Sequence, residues 1–149
     1  MASADPDHSS DPLITEIERS RRYRHALTLI RVAPGPSSAA RLVRMRSHRV
    51  GRPGHRRRVP LDELAAELRG YLRSGDVAWS DGSALFVLLP ETDAAGAGAM
   101  LARFRRAASD AVGESDVRVA SFPEHGLTHH ALRAAVARAT HHPLLRAER

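Results

Sequence analysis

Apolar residues that recur every three or four positions predict four helices along the chain. Pro12 opens the first helix and Pro60 the second, because proline fits the first helical turn, where its missing N–H is not needed. Gly75 is placed to end the second helix in a left-handed cap. Asp93 and Thr128 have the side-chain oxygens of good N-caps, so they predict the starts of the two remaining helices.

Short apolar runs between these helices predict strands. The runs 27–32 and 117–122 are rich in branched residues and lie between polar segments, as buried strands do. Between the second and third helices, the runs 77–79 and 85–89 flank the dipeptide Asp81-Gly82. An Asp-Gly pair between two apolar runs is a strong signal for a tight turn, so we predict a β-hairpin here.

The order of these elements predicts the fold class. Without the first and last helices, the chain reads strand, helix, strand, strand, helix, strand. This is the ferredoxin-like βαββαβ pattern of α+β proteins, an antiparallel sheet with helices packed on one face. Because crossover connections are right-handed, the first strand and the hairpin should lie beside each other at the centre of the sheet.

Length and composition favour a single domain without disulfides. The chain has 149 residues and no cysteine, so it can bury a core but can form neither a disulfide nor a thiolate metal site. No apolar run approaches the roughly 20 residues that cross a bilayer, which predicts a soluble, cytoplasmic protein. We predict a disordered tail over 1–11, a folded domain over 12–142 with a long loop over 33–59, and a second tail over 143–149.

Positive charge is concentrated in the predicted loop. The net charge is +6, and all 23 basic residues are arginine. Eight arginines and no acidic residue lie between Arg41 and Arg58, whereas the rest of the chain has fifteen arginines and seventeen acidic residues. Such a segment could contact RNA, DNA, an acidic partner or a nucleotide phosphate. It has no aromatic residue for stacking on bases, so we favour a solvated loop over a nucleic-acid site.

The hairpin and its neighbours resemble the GGDEF domains of diguanylate cyclases. The signature of that family lies at a hairpin, and the residues in its place are Gly82-Ser83-Ala84-Leu85-Phe86. Four further segments resemble family segments in the right order and spacing. They are the passage into the first strand, the helix before the hairpin, the strand after it and the last strand with its turn, at 18–29, 64–76, 86–92 and 119–126. The resemblance covers about 13–140 and implies the nucleotidyl-cyclase-like, GGDEF-type form of the predicted fold.

The resemblance also implies a cyclase site that has lost its chemistry. In active members, the acids of the signature and an aspartate at the end of the first strand hold two divalent cations that stabilise the reacting phosphates. These positions correspond to Ala84, Leu85 and Ala33, whose aliphatic side chains offer no oxygen to Mg²⁺. The guanine-reading residues of the family would fall in the arginine-rich loop, where we find no counterpart. We therefore predict no catalytic residue, no metal site and no cofactor.

One binding feature of the family has a counterpart in this chain. Many GGDEF domains carry an Arg-x-x-Asp site for the product cyclic di-GMP nine residues before the signature, and Arg73 and Asp76 stand at that spacing from Gly82. Arginine can donate two hydrogen bonds to guanine or phosphate, and a carboxylate can accept hydrogen bonds from guanine. The family often adds an arginine from the following helix, for which Arg103 and Arg105 are candidates. The opposing interpretation is structural, because arginine suits a helix C-terminus and aspartate suits a turn.

Four histidines invite comparison with a metal site. They occur as two adjacent pairs, His129 with His130 and His141 with His142. Adjacent residues point to different sides of a helix, and no acidic residue completes a ligand set, so we favour surface histidines.

The polar residues of the hairpin could suggest nucleophile chemistry. Ser80, Asp81 and Ser83 are, however, residues that turns recruit for backbone reasons, and no histidine lies near them in the sequence. Trp79 is expected to pack in the core or at a strand edge and not to serve as a ligand platform.

Three functions follow from these features. The one we favour is a regulatory domain without turnover that binds cyclic di-GMP through Arg73 and Asp76. The alternative is a protein-interaction or scaffolding module with no nucleotide ligand, in which the fold docks a partner. The third is an enzyme with an unusual site, which the apolar residues at the signature speak against.

Overall fold

The computed structural model of the protein describes residues 11–33, 59–107 and 115–139. The predicted tails, apart from Asp11, and the interior of the predicted loop over 33–59 lie outside the described residues. None of the helices in these ranges is long and apolar enough to span a membrane. In chain order, the elements are α1 (Pro12–Tyr23), β1 (Leu27–Ala33), α2 (Val59–Arg69), β2 (Val77–Ser80), β3 (Leu85–Pro90), α3 (Ala94–Ala107), β4 (Asp116–Phe122) and α4 (His129–Arg138).

The four described strands form an antiparallel sheet in the order β2-β3-β1-β4. The two central strands are β1 and β3. Leu29 of β1 pairs with Leu88 of β3 on one side and with Ala120 of β4 on the other. At the edge of the sheet, Trp79 of β2 lies opposite Phe86 of β3. The predicted α+β fold is therefore confirmed, with β1 beside the hairpin strand β3 at the sheet centre, whereas the other hairpin strand, β2, lies at the edge.

One face of the sheet packs against α2 and α3. Phe104 of α3 meets the ring of Tyr71, which follows α2, edge-on with 5.4 Å between the ring centroids. This contact fixes the end of α3 near the connection between α2 and β2. The buried residues of this core are Ile30, Val32, Leu64, Leu68, Leu85, Val87, Leu89, Ala97, Met100, Leu101, Phe104 and Val117.

The opposite face packs against α1 and α4, which corrects the expectation that helices cover one face. The physical reason lies in the central strands, since 27–30 and 85–89 are buried at every position. A strand without a polar face must be covered on both sides, as strands of two-sided sheets are. The buried residues of this second core are Leu13, Ile17, Leu27, Leu29, Ala84, Phe86, Leu88, Ala120, Phe122, Leu132 and Val136.

Helix starts follow the sequence closely. The side chains of Asp93 and Thr128 accept backbone N–H groups of the first helical turn, at 2.8 Å and 3.1 Å respectively, as predicted for N-caps. Asp11, which we assigned to the N-terminal tail, caps α1 by accepting the Leu13 N–H at 3.0 Å. The folded part of the chain therefore includes Asp11.

The end of α2 differs from its prediction. The helix ends at Arg69. The Gly70 N–H donates a hydrogen bond to the carbonyl of Glu67, three residues earlier, at 3.3 Å, and this 3₁₀-type bond closes the last turn. Gly75 lies beyond this point in a separate turn. It is not among the residues with positive φ, so it does not form the predicted left-handed cap.

Because α4 covers the second face, truncating its inward side chain should be as costly as truncating any core residue. Leu132 is 0% exposed, and we expect Leu132→Ala to lower the free energy of unfolding by about 2–5 kcal/mol because it leaves a cavity. Leu127→Ala is the matched control, since that side chain is 59% exposed and should change stability by less than about 0.5 kcal/mol. Urea unfolding followed by circular dichroism measures both. Equal effects of the two substitutions would contradict the packing of α4.

Candidate functional site

A short loop joins β2 to β3. The strands end where Ser80 pairs with Leu85. Beyond this pair, the backbone N–H of Asp81 donates to the carbonyl of Ala84 at 3.2 Å. Gly82 has a φ of 89°, a left-handed conformation that glycine adopts without strain. The predicted Asp-Gly turn is therefore confirmed, and Gly82 lies at its tip.

The carboxylate of Asp81 organises this loop. Its Oδ1 accepts the Ser83 N–H at 2.8 Å, the Ala84 N–H at 2.9 Å and the Ser83 hydroxyl at 2.8 Å. These hydrogen bonds, led by the one from the Ser83 backbone, lower the pKa of Asp81, and the positive charge of Arg31 adds a smaller contribution. Ser80 Oγ accepts the N–H of residue 82 at 3.0 Å. The polar groups of the loop thus serve the turn, which is the structural role that we expected for them.

The last three signature positions run from the loop into the sheet. Ala84, Leu85 and Phe86 are 0%, 3% and 8% exposed. Their side chains alternate across the sheet, since Ala84 and Phe86 lie in the core against α1 and α4 and Leu85 lies in the core against α2 and α3. The positions at which the resemblance implies metal-binding acids are therefore buried among apolar side chains.

The end of β1 lies beside the hairpin. Val32 pairs with Leu85, so the next residues in this register, Ala33 and Ala84, follow side by side, and both pack against the same core. The structure thus brings together two positions where family acids would flank a metal ion. Methyl groups cannot replace the oxygen ligands of Mg²⁺, so the residues present do not fit it. Within the described ranges, no three His, Asp or Glu side chains are grouped so as to hold a metal ion.

This arrangement of helices and strands matches solved structures. A sensory box/GGDEF family protein from Caulobacter crescentus has a TM-score of 0.62 and 23% identity, over 85% of this chain and 83% of that chain. The GGDEF domain of TpbB (YfiN) from Pseudomonas aeruginosa has a TM-score of 0.64 and 22% identity, over 85% and 78%. The active GGEEF domain of a diguanylate cyclase from Vibrio cholerae has a TM-score of 0.57 and 14% identity, over 85% and 83%. The chain has the GGDEF-domain fold.

Sequence comparison does not reach the same result. No protein-family model matches the chain, and no curated protein sequence matches it either. The three structural matches establish a shared fold. At identities of 14% to 23%, they do not establish a shared activity. The predicted nucleotidyl-cyclase-like form of the α+β fold is confirmed.

In this GGDEF-like domain, Arg73 and Asp76 belong to one turn between α2 and β2. The Asp76 N–H donates to the Arg73 carbonyl at 3.0 Å, and Asp76 Oδ2 accepts the Arg73 N–H at 2.7 Å. Arg73 is exposed and Asp76 is half-buried. The turn therefore holds the two residues together, as the motif requires, while one carboxylate oxygen of Asp76 already has a backbone partner.

The two candidate arginines of α3 lie on either side of Phe104. Through its contact with Tyr71, Phe104 places this end of α3 near the turn that holds Arg73. Arg103 is exposed and Arg105 is half-buried. Successive helical residues are rotated by roughly 100°, so these two arginines diverge on opposite sides of Phe104. At most one of them can face the Arg73–Asp76 turn.

The histidine pair of α4 behaves differently from its prediction. The rings of His129 and His130 lie 3.9 Å apart between centroids, so they contact each other instead of pointing to different sides. At the first turn of a helix no preceding turn crowds the side chains, which leaves the two rings free to meet. His141 and His142 lie outside the described residues.

The role expected for Trp79 is confirmed. It is half-buried at the edge of the sheet, and its ring stacks on Phe86 with 5.6 Å between centroids and an interplanar angle of 15°. It packs, as expected for an aromatic residue at a strand edge.

Sequence reasoning missed one charged group on the sheet. Arg118 Nε donates to Asp116 Oδ2 at 3.0 Å, and Arg31 Nη1 lies 4.0 Å from the same oxygen. Arg31 interrupts the apolar run of β1, which was the available signal in the sequence. Its position opposite Arg118, however, is set by the register of β1 and β4 and has no local signature.

The lowered pKa of Asp81 predicts a pH dependence of stability. Because the folded pKa lies below the unfolded one, the carboxylate stabilises the fold fully above about pH 5, and this contribution is lost as the pH falls through the folded pKa. We expect Asp81→Asn to lower the free energy of unfolding at neutral pH and to have a progressively smaller effect below about pH 4.

Urea unfolding over this pH range measures the difference between the two proteins. Ser83→Ala is the companion variant, since it removes one of the three donors to Asp81 and should cause a smaller loss. A difference between wild type and Asp81→Asn that does not change with pH would contradict this account of the turn.

Proposed function

We propose that this chain is a catalytically inactive GGDEF-like regulatory domain that binds cyclic di-GMP through Arg73 and Asp76. It would act in the cytoplasm, as the composition predicts. The fold supports a place in cyclic di-GMP signalling. The observation that carries the inactivity is the burial of Ala84 and Leu85 at the hairpin, beside Ala33.

Cyclase chemistry needs charge stabilisation that these residues do not supply. The reaction joins a hydroxyl to an α-phosphate, and negative charge builds on the phosphate oxygens as the bond forms. In an active relative, carboxylates would hold the metal ions that meet this charge. Here Ala33 and Ala84 present methyl groups, and the side chain of Leu85 is buried in the core against α2 and α3. The former position of the acids has become part of the apolar interior.

Ligand binding at the turn is supported by what its two residues still offer. Arg73 is exposed and carries a planar guanidinium that suits guanine or phosphate. Asp76 uses Oδ2 to close the turn, which leaves Oδ1 to accept hydrogen bonds from a guanine edge. Cyclic di-GMP presents both guanines and phosphates, so one small ligand could engage both side chains.

Isothermal titration calorimetry with cyclic di-GMP tests this proposal. We expect binding by the wild-type protein and a loss of about tenfold or more in affinity on Arg73→Ala, because a hydrogen bond to a charged group contributes about 1.5–3 kcal/mol. Arg73→Ala keeps the backbone N–H that bonds to Asp76, so the turn should survive. Asp76→Asn keeps an oxygen for that bond while removing the charge, and it should weaken binding as well.

Further arginine variants in the same titration test whether the effect is specific to the Arg73–Asp76 turn. Arg138→Ala, at the exposed end of α4, should leave the affinity unchanged. Of Arg103→Ala and Arg105→Ala, only one should weaken binding, because the two side chains diverge. Unchanged affinity in Arg73→Ala would contradict the proposal. A wild-type protein that releases no heat at high ligand concentration would contradict it too, and would favour the alternative of a protein-interaction module.

Turnover is tested separately. Purified protein incubated with GTP and Mn²⁺ should yield no cyclic di-GMP by chromatography, since the residues at the hairpin tip cannot hold the metal. An active diguanylate cyclase assayed in parallel shows that the conditions support the reaction. Detectable cyclic di-GMP formed by this protein would contradict the inactive assignment.

A further inference from the structure

Four side chains form one row across the sheet on the face that packs against α1 and α4. The register places Trp79 opposite Phe86, Phe86 opposite Arg31, and Arg31 opposite Arg118. Half of the row is aromatic and half is cationic. On the same face, the next row toward the hairpin tip contains Ala33 and Ala84. A pair of arginines therefore lies directly beside the two alanines.

This arginine pair is unusual because its members are direct cross-strand neighbours. Like charges directly opposite each other destabilise a sheet unless something compensates them. The side chains of Arg31 and Arg118 are 25% and 31% exposed, so water screens them only partly. One carboxylate, Asp116, lies beside both, and its side chain is 24% exposed.

Asp116 compensates the two arginines unequally. Its Oδ2 accepts a hydrogen bond from Arg118 Nε at 3.0 Å, and Arg118 Nη1 donates to the carbonyl of Ala137 at the end of α4. Arg31 lies 4.0 Å from the same oxygen, which is an ion-pair distance but too long for a hydrogen bond. The charge of Asp116 is thus shared by two arginines, and among the described contacts Arg31 makes the weaker one with it.

Asp81 adds a further negative charge near Arg31, whose positive charge makes a small contribution to the lowered pKa of Asp81. The Oδ1 atom of Asp81 accepts three hydrogen bonds within its own loop. Ala33 and Ala84 carry no charge, so the carboxylate that the described strands place in the row next to the pair is Asp116, which lies opposite Ala33.

We propose that Arg31 and Arg118 form an anion site that binds the phosphate groups of a small phosphorylated ligand directly, with no metal ion. Guanidinium groups suit phosphate because their parallel N–H groups match its oxygens. Alanine at positions 33 and 84 thus has two effects in this chain: it removes metal ligands, and it leaves fewer carboxylates, with Asp116 foremost among them, to compete with an anion for the arginines. This site is separate from the Arg73–Asp76 turn and does not rest on the binding of cyclic di-GMP.

Titration with inorganic pyrophosphate in the presence of EDTA tests the site at low ionic strength. We expect binding by the wild-type protein and affinity at least about tenfold weaker in Arg31→Gln, given the strength of hydrogen bonds to charged groups. Arg22→Gln, an exposed arginine of α1, is the matched control and should bind within about twofold of wild type. Arg73→Ala should likewise bind pyrophosphate normally, which separates this result from the cyclic di-GMP experiment.

Asp116→Asn provides a readout in the opposite direction. It removes the charge that competes for both arginines, so pyrophosphate affinity should rise several-fold, an effect that mere loss of structure would not produce. Circular dichroism melts verify that each variant is folded. In the same titration, tighter binding of GTP than of pyrophosphate would assign the site to nucleotides, and the reverse order would assign it to inorganic polyphosphate; both support the site.

Two results would overturn the proposal. One is the absence of pyrophosphate binding by the wild-type protein. The other is full affinity in Arg31→Gln, which would place the binding elsewhere on this arginine-rich chain.

Discussion

The burial of β1 and β3 on both faces is the constraint on which the structure depends. Because these strands have no polar side, helices must cover the sheet twice, and the first and last helices supply the second layer. Asp11 connects the two helices of that layer, since it caps α1 and pairs with Arg133 of α4 at 2.7 Å. The guanidinium of Arg133 lies 5.9 Å from the centroid of the Trp79 ring, so α1, α4 and the hairpin are joined by one chain of contacts.

The same constraint determines what can happen at the end of the sheet. The two central strands emerge there side by side, at Ala33 and Ala84, and this is where an active relative would place its carboxylates. In this chain the apolar interior extends to Ala33, the last residue of β1, and to Ala84, which directly precedes β3. Three charged side chains lie beside Ala33, namely Arg31, Arg118 and Asp116, and Asp116 pairs with both arginines. The carboxylate of Asp81 accepts hydrogen bonds within its own loop. The GGDEF-domain fold is retained, while both central strands have alanine at this end of the sheet.

Much of this fold could be predicted from the sequence because its signals are local. The Asp81-Gly82 turn, the caps at Asp93 and Thr128 and the order of the elements all depend on residues close together in the chain. The second helical layer could have been predicted as well, because the run 85–89 does not alternate between polar and apolar residues. The prediction of a helix cap at Gly75 was wrong because a tight turn at Gly70 ends α2 earlier.

The candidate site was predictable only in part. The apolar signature residues and the Arg73–Asp76 spacing are visible in the sequence, and so is the charge of Arg31. The partnership of Arg31 with Arg118 is not, because the register of two strands far apart in the chain creates it. Helical spacing alone shows that Arg103 and Arg105 diverge around Phe104. It does not show how α3 is oriented, because the contact of Phe104 with Tyr71, far away in the chain, fixes that orientation.

The central claim is that the hairpin tip no longer holds a divalent cation. Paramagnetic NMR tests it most directly: Mn²⁺ is added with a non-hydrolysable GTP analogue, and the broadening of backbone amide signals is mapped along the chain. The account predicts no selective broadening at residues 33 and 82–85. Broadening centred on Ala33 and Ala84 would place a metal ion between the central strands and contradict it.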